Sequence, residues 1–143
     1  MPNARFATAL HALALLADSP QGASSEWISG SVNGNPAALR RVLQKLASAK
    51  LVEASVGRGG GYRLKRPAEK ITLDEIYRAV EEEPLLAPAP MEPSPQCPIG
   101  SGMQKTFAGV AEEAERAMLR ELAGHTVAWL AKRAQAEGKK SRR

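Results

Sequence analysis

The sequence predicts a mostly α-helical chain with a small β-hairpin wing: a winged helix-turn-helix domain plus a long C-terminal dimerisation helix. Three observations predict it. Apolar residues recur at helical spacing along most of the chain. Two short strand-like runs flank the stretch Gly57-Arg58-Gly59-Gly60-Gly61. A proline-rich segment separates these from a second helical region. The predicted divisions are 1–82 for the winged domain and 83–100 for a linker or sensor loop. Dimerisation helices follow at 101–136, then a disordered basic tail at 137–143. A chain of 143 residues buries enough surface for an ordinary core without disulfides or metals.

The first helix is read at 4–17, with Phe6, Leu10, Leu13 and Leu16-Ala17 as its apolar stripe. Ser24 or Ser25 caps a short helix containing Trp27, Ile28 and Val32. Asn33-Gly34-Asn35 is turn chemistry. Asn35 caps the next helix, with Pro36 at its first position, where a missing N–H costs nothing. That helix runs to about residue 49. Leu39, Val42, Leu43 and Leu46 face the core, and Ala37, Arg40, Arg41, Gln44 and Lys45 lie opposite. Runs 51–56 and 62–65 form the hairpin around the glycine tip. Thr72 caps a helix reaching Glu82, with Leu73, Ile76, Tyr77 and Val80 inward. Six of the ten prolines fall within 83–100, which excludes regular helix there. The long helix, 101–123, carries Met103, Phe107, Val110, Ala114 and Ala117 at 4-3-4-3 spacing, continued by Met118 and Leu122. Gly124 ends it, and Thr126 caps a last helix.

The formal charge is +5, but it is segregated: residues 1–66 carry +6, 67–100 carry −5, and the tail 137–143 carries +3. Within 40–66, eight basic residues face only Glu53. Such concentration points to a polyanionic partner. One cysteine excludes an intramolecular disulfide framework and fits a reducing, cytoplasmic setting. Two histidines and one cysteine argue against a structural zinc site, so no metal is expected. No run is long and apolar enough to cross a membrane. The apolar stretch after Arg5 reads as an amphipathic core helix rather than a signal peptide, because His11 interrupts it. His11 is then a core or interface residue, and His125 a capping residue. No nucleophile, base and orienter form a recognisable set, so the chain is not expected to be an enzyme.

A short helix, tight turn, second helix and basic hairpin suit double-stranded DNA. A helix fits the major groove, and its N-terminal half reaches base edges. That half offers Asn33, Asn35, Ala37, Ala38, Arg40 and Arg41, with Lys45 further along. Ser29, Ser31 and Asn33 are candidates for backbone phosphate contacts at the entry turn. Gly59 and Gly60 let the wing approach the sugar-phosphate backbone, and Arg58 suits a narrow minor groove. Read separately, Arg40, Arg41 and Lys45 are a solvated face and the glycines a flexible loop. Their order and local charge favour DNA.

The stretches Ser25–Val32, Leu39–Leu46, Gly59–Leu64 and Ile71–Glu81, with Cys97-Pro98-Ile99-Gly100, resemble the bacterial Rrf-type (Rrf-two) winged-helix transcriptional regulators. The resemblance spans about 4–135. It implies homodimers that bind pseudo-palindromic operators, usually as repressors, with the helix from Pro36 as recognition helix. It also implies Gly57–Gly61 as wing tip and 101–123 as dimerisation helix. The apolar seam supports the dimer independently, against the alternative that this helix folds back on residues 1–82.

Members of that family also hold an iron–sulfur cluster through three cysteines. Here only Cys97 lies in that window, so no cluster is expected. Cys97 is then either a thiol switch or an inert loop residue. No Lys, Arg or His lies within five positions to depress its pKa, which favours the inert reading. The alternatives to a specific regulator are a sequence-independent nucleic-acid binder, a redox-sensing regulator using Cys97, and a protein-interaction module using the long helix. A small-molecule or redox effector is left open.

Overall fold

The computed structural model describes residues 4–57, 59–87 and 92–143. Six α-helices and one two-stranded sheet are present among them: α1 (Ala4–Ala17), α2 (Ser25–Val32), α3 (Pro36–Ser48), β1 (Val52–Ser55), β2 (Gly61–Leu64), α4 (Leu73–Val80), α5 (Gly100–Ala123) and α6 (Val127–Ser141). The strands pair antiparallel, with Val52 opposite Leu64 and Ser55 opposite Gly61.

Each helix of the head contributes one stripe to a single core. Ala9, Ala12, Leu13 and Leu16 come from α1 and Ile28 from α2. Leu39, Val42, Leu43 and Leu46 come from α3, and Leu73, Ile76 and Val80 from α4. Leu51, Val52, Ile71 and Val127 complete it. Full burial of such a side chain contributes about 1.5–3 kcal/mol, so this cluster fixes how α3 is presented. In α1, small Ala9 and Ala12 are fully buried along with Leu13, while Phe6 and Leu10 pack at the edge.

Two element ends differ from expectation. α4 stops at Val80, and Glu81 is extended (φ −95, ψ 127). Carboxylates are unfavourable at a helix C-terminus, and Pro84 disfavours helix at the residue before it. Glu81 instead accepts a hydrogen bond from the Phe6 N–H at 3.2 Å, tying the start of α1 to the end of α4.

The region read as a disordered tail is helical through Ser141. Its glutamate and lysines are good helix formers that extend a helix already begun at Val127 in spite of Gly138, and Lys139 and Lys140 suit the last turn. Lys140 also pairs with Glu137 at 3.6 Å. Among the described residues of 83–99 there is no helix or strand, in keeping with the prolines.

α5 has no buried residue. Met103, Phe107 and Val110 are exposed, as are Ala114 and Ala117, while Met118 is half-buried. Leu122 differs from the expected seam. It packs against the chain's own core, where α5 turns back through Gly124 into α6. No described helix is long and apolar enough to cross a membrane.

Candidate nucleic-acid interface

The local sequence builds the α2–turn–α3 unit. Ser24 caps α2 by accepting the Trp27 N–H at 3.1 Å. Asn33 ends α2 in the left-handed region (φ 56), a conformation asparagine tolerates better than most residues. Asn35 caps α3, its Oδ1 accepting from Ala37 N–H at 2.8 Å and Ala38 N–H at 3.2 Å. The turn between the helices is thus fixed by side chains of its own.

This arrangement exposes Ala37, Arg40, Arg41 and Gln44 on the outer face of α3, with Ala38 half-exposed beside them. Arg40 also borders a surface cleft against α2, lined by Ser25, Glu26, Ser29 and Pro36. Ser29 therefore lies beside Arg40 at this cleft. Gln44, Ser25 and Glu26 join the surface although the sequence singled none of them out as a site residue. Helical spacing from Arg40 and Arg41 was the signal for Gln44. Ser25 and Glu26 come close only through helix packing.

Other candidates have partners inside the molecule. Ser31 Oγ lies 3.0 Å from His11 Nε2, which links α2 to α1 and places His11 at the surface rather than in the core. Lys45 forms an ion pair with Glu82, which also faces Arg5 at 3.8 Å. The Lys45 ammonium lowers the Glu82 carboxyl below its usual range, with Arg5 adding to it. Asn35 is engaged by its cap.

The wing is anchored at its base. Ala23 N–H donates to the Tyr62 carbonyl and Tyr62 N–H to the Ala23 carbonyl, both at 2.8 Å. Glu53 and Arg63 pair across the strands. Gly57 (φ 99) and Gly59 (φ 74) occupy backbone conformations that suit glycine. A Cβ on Gly60 would sit 2.4 Å from the Ser55 carbonyl oxygen. Gly60 and Gly61 are therefore packed closely against main chain, while Gly59 has open space around it. Arg58 lies outside the described residues.

A family model described as an iron-dependent transcriptional regulator, Rrf2, matches residues 3–133. The chain belongs to the Rrf2 family. It is 37% identical over 127 residues to YwnA of Bacillus subtilis, named as an HTH-type transcriptional regulator, covering 89% of this chain and 94% of that protein. The crystal structure of Staphylococcus aureus CymR aligns with TM-score 0.63 and 26% identity over 89% of this chain and 93% of that one. A transcriptional regulator from Lactobacillus plantarum aligns with TM-score 0.76 at 22% identity, over 96% of this chain and 94% of that chain, which shows the shared fold. The relatives are transcriptional regulators, so DNA binding by this Rrf2 chain and its α3–wing surface fit together.

The family description includes iron. Clusters are held mainly by several cysteine thiolates, and the one cysteine of this Rrf2 chain is Cys97. Among the described residues, no three His, Cys, Asp or Glu side chains gather to hold a metal ion. The residues of a single chain do not fit the group. Cys97 itself is exposed, just before α5. Backbone N–H groups of Gly100 and then Ile99 lower its thiol pKa below the ordinary value. Charged neighbours in sequence could not reveal this, because the donors are main-chain groups at a helix start.

Proposed function

We propose that this chain is a sequence-specific regulator that binds a pseudo-palindromic operator as a homodimer in the cytoplasm and represses transcription. It acts by binding rather than by catalysis, and without an iron–sulfur cluster. One observation carries the reading: a capped turn presents Arg40, Arg41 and Gln44 together on the exposed face of α3, beside an anchored wing. Arginine is well suited to bidentate contact with guanine, and glutamine with adenine. The exposed α5 seam of Met103, Phe107, Val110, Ala114 and Ala117 supports pairing of two copies. Two α3 helices would then read half-sites about one helical turn apart. A dimer seated on promoter DNA excludes other proteins, which favours repression.

Selection from a random duplex library, followed by affinity measurement, tests the reading. The expected result is an inverted repeat. Arg41→Ala should cost about 1–3 kcal/mol and relax one position of each half-site. Equal affinity for selected and random duplexes would favour a sequence-independent binder instead. Anaerobic reconstitution with iron and sulfide should give no stoichiometric, coloured cluster.

A further inference from the structure

The last 17 residues, 127–143, hold six basic residues and only Glu137 against them, a net +5. The preceding 126 residues balance, 14 basic against 14 acidic. The whole excess charge of the chain therefore equals that of one C-terminal segment, most of which is α6 (Val127–Ser141). At 100° per residue, Lys132, Arg133, Lys139, Lys140 and the helix-flanking Arg143 fall within an arc of roughly 120°. All five are exposed.

Trp129 lies within the same arc and is also exposed. It is stacked on His125 at 4.0 Å between ring centroids, with the Arg133 guanidinium 5.8 Å from its ring. The opposite face carries Val127 and Leu130, which pack on the core. Further along that face come Ala134, Gly138 and Ser141.

We propose that this stripe is a second, sequence-independent DNA-binding surface, distinct from α3 and the wing. α6 packs mainly on α1 and residues 68–70 rather than on α3 or the wing strands, so the stripe belongs to a separate part of the surface. Cations spread over about 17 Å of helix match a phosphate backbone better than a single anion. An exposed indole among them offers a stacking or sugar-packing contact that needs no base identity. A membrane surface is a poorer occupant, because the other face of α6 has core-packed or small residues and no large apolar side chains to insert. The proposal rests on the DNA-binding reading only for the identity of its occupant. The surface would hold a second duplex, or a looped segment, while α3 holds the operator.

The test uses the full chain and a random-sequence 30-base-pair duplex followed by fluorescence anisotropy between about 50 and 200 mM salt. With Arg40→Ala and Arg41→Ala in place, random-duplex binding should persist. Adding Lys132→Ala, Arg133→Ala, Lys139→Ala and Lys140→Ala should weaken it at least about tenfold and flatten the salt slope by up to about 3.6. A control with Lys105→Ala, Arg116→Ala and Arg120→Ala on α5 should change affinity less than about twofold. Thermal melting of each variant checks folding.

Complete loss of random-duplex binding on changing Arg40 and Arg41 alone overturns the α6 surface and leaves the α3 reading standing. The same double variant keeping full operator preference does the reverse. Equal effects of the α6 and α5 sets, or retention on phosphatidylserine vesicles in place of duplex, also overturn the proposal.

Discussion

Gly61→Ala should uncouple the wing from the helix-turn-helix. Gly61 is not in the left-handed region, so backbone conformation alone would accept alanine there. The obstacle is contact. A Cβ would lie 2.4 Å from the Ala23 carbonyl oxygen, 2.8 Å from its carbon and 3.1 Å from Ser24 N. All three are main-chain atoms, so no rotamer relieves the clash. β2 must withdraw, which opens the two Ala23–Tyr62 hydrogen bonds of 2.8 Å. Each contributes about 1 kcal/mol. Ser24 also caps α2, and a disturbed cap costs about 0.5–2 kcal/mol. The total is about 2.5–4 kcal/mol, or a fall in Tm of roughly 8–14 °C for a chain of this size.

Circular dichroism at the helix band measures that melt, and duplex anisotropy measures the accompanying loss of affinity. Gly109→Ala is the matched control. It lies within α5 with open space around it and should be neutral or stabilising by about 0.5–1 kcal/mol. If Gly61→Ala melts within about 2 °C of the parent chain, the close approach of β2 to Ala23 is wrong.

Val110→Asp places a charge in the exposed α5 seam. It should leave the melt of the head unchanged, shift sedimentation from dimer to monomer, and weaken binding to a two-half-site duplex at least about tenfold. A dimer of unchanged stability would move the interface elsewhere. Glu75 has a different signature. Burial opposes its charge, but the Thr72 N–H and the Arg66 guanidinium outweigh it and hold the carboxyl below its usual range. A folded pKa below the unfolded one contributes stability that is present above the unfolded value and lost as pH falls through the folded one. Melts between about pH 5 and pH 3 should therefore decline less steeply for Glu75→Gln than for the parent chain. Cys97 should react with iodoacetamide faster at neutral pH in the folded chain than in urea, because Gly100 and Ile99 N–H groups favour its thiolate. Equal rates would mean those donors do not act in solution.

What the sequence revealed follows how far apart the interacting residues are. Caps act over two or three residues, so Asn35-Pro36, Ser24 or Ser25, and Thr72 were readable as helix starts, of which Ser24 is the cap of α2. Core stripes repeat within a helix and were equally legible. The expected disordered tail is instead the end of α6, because residues 137–141 need only extend a helix begun at Val127, and the Cys97 environment left no mark because its donors are main-chain. Contacts between distant residues left no local mark. Lys45 meets Glu82, Gly61 meets Ala23, and His11 meets Ser31, across gaps of 37, 38 and 20 residues. These contacts bear directly on the interface. Asn35, Ser31 and Lys45 had the right composition for DNA, yet each has a polar group held by a partner within the chain. Arg40, Arg41 and Gln44 remain on the solvent face of α3, with Gln44 one helical turn along from both arginines. Specificity should therefore concentrate in these three side chains, while the serines and asparagines set the angle at which α3 meets the duplex.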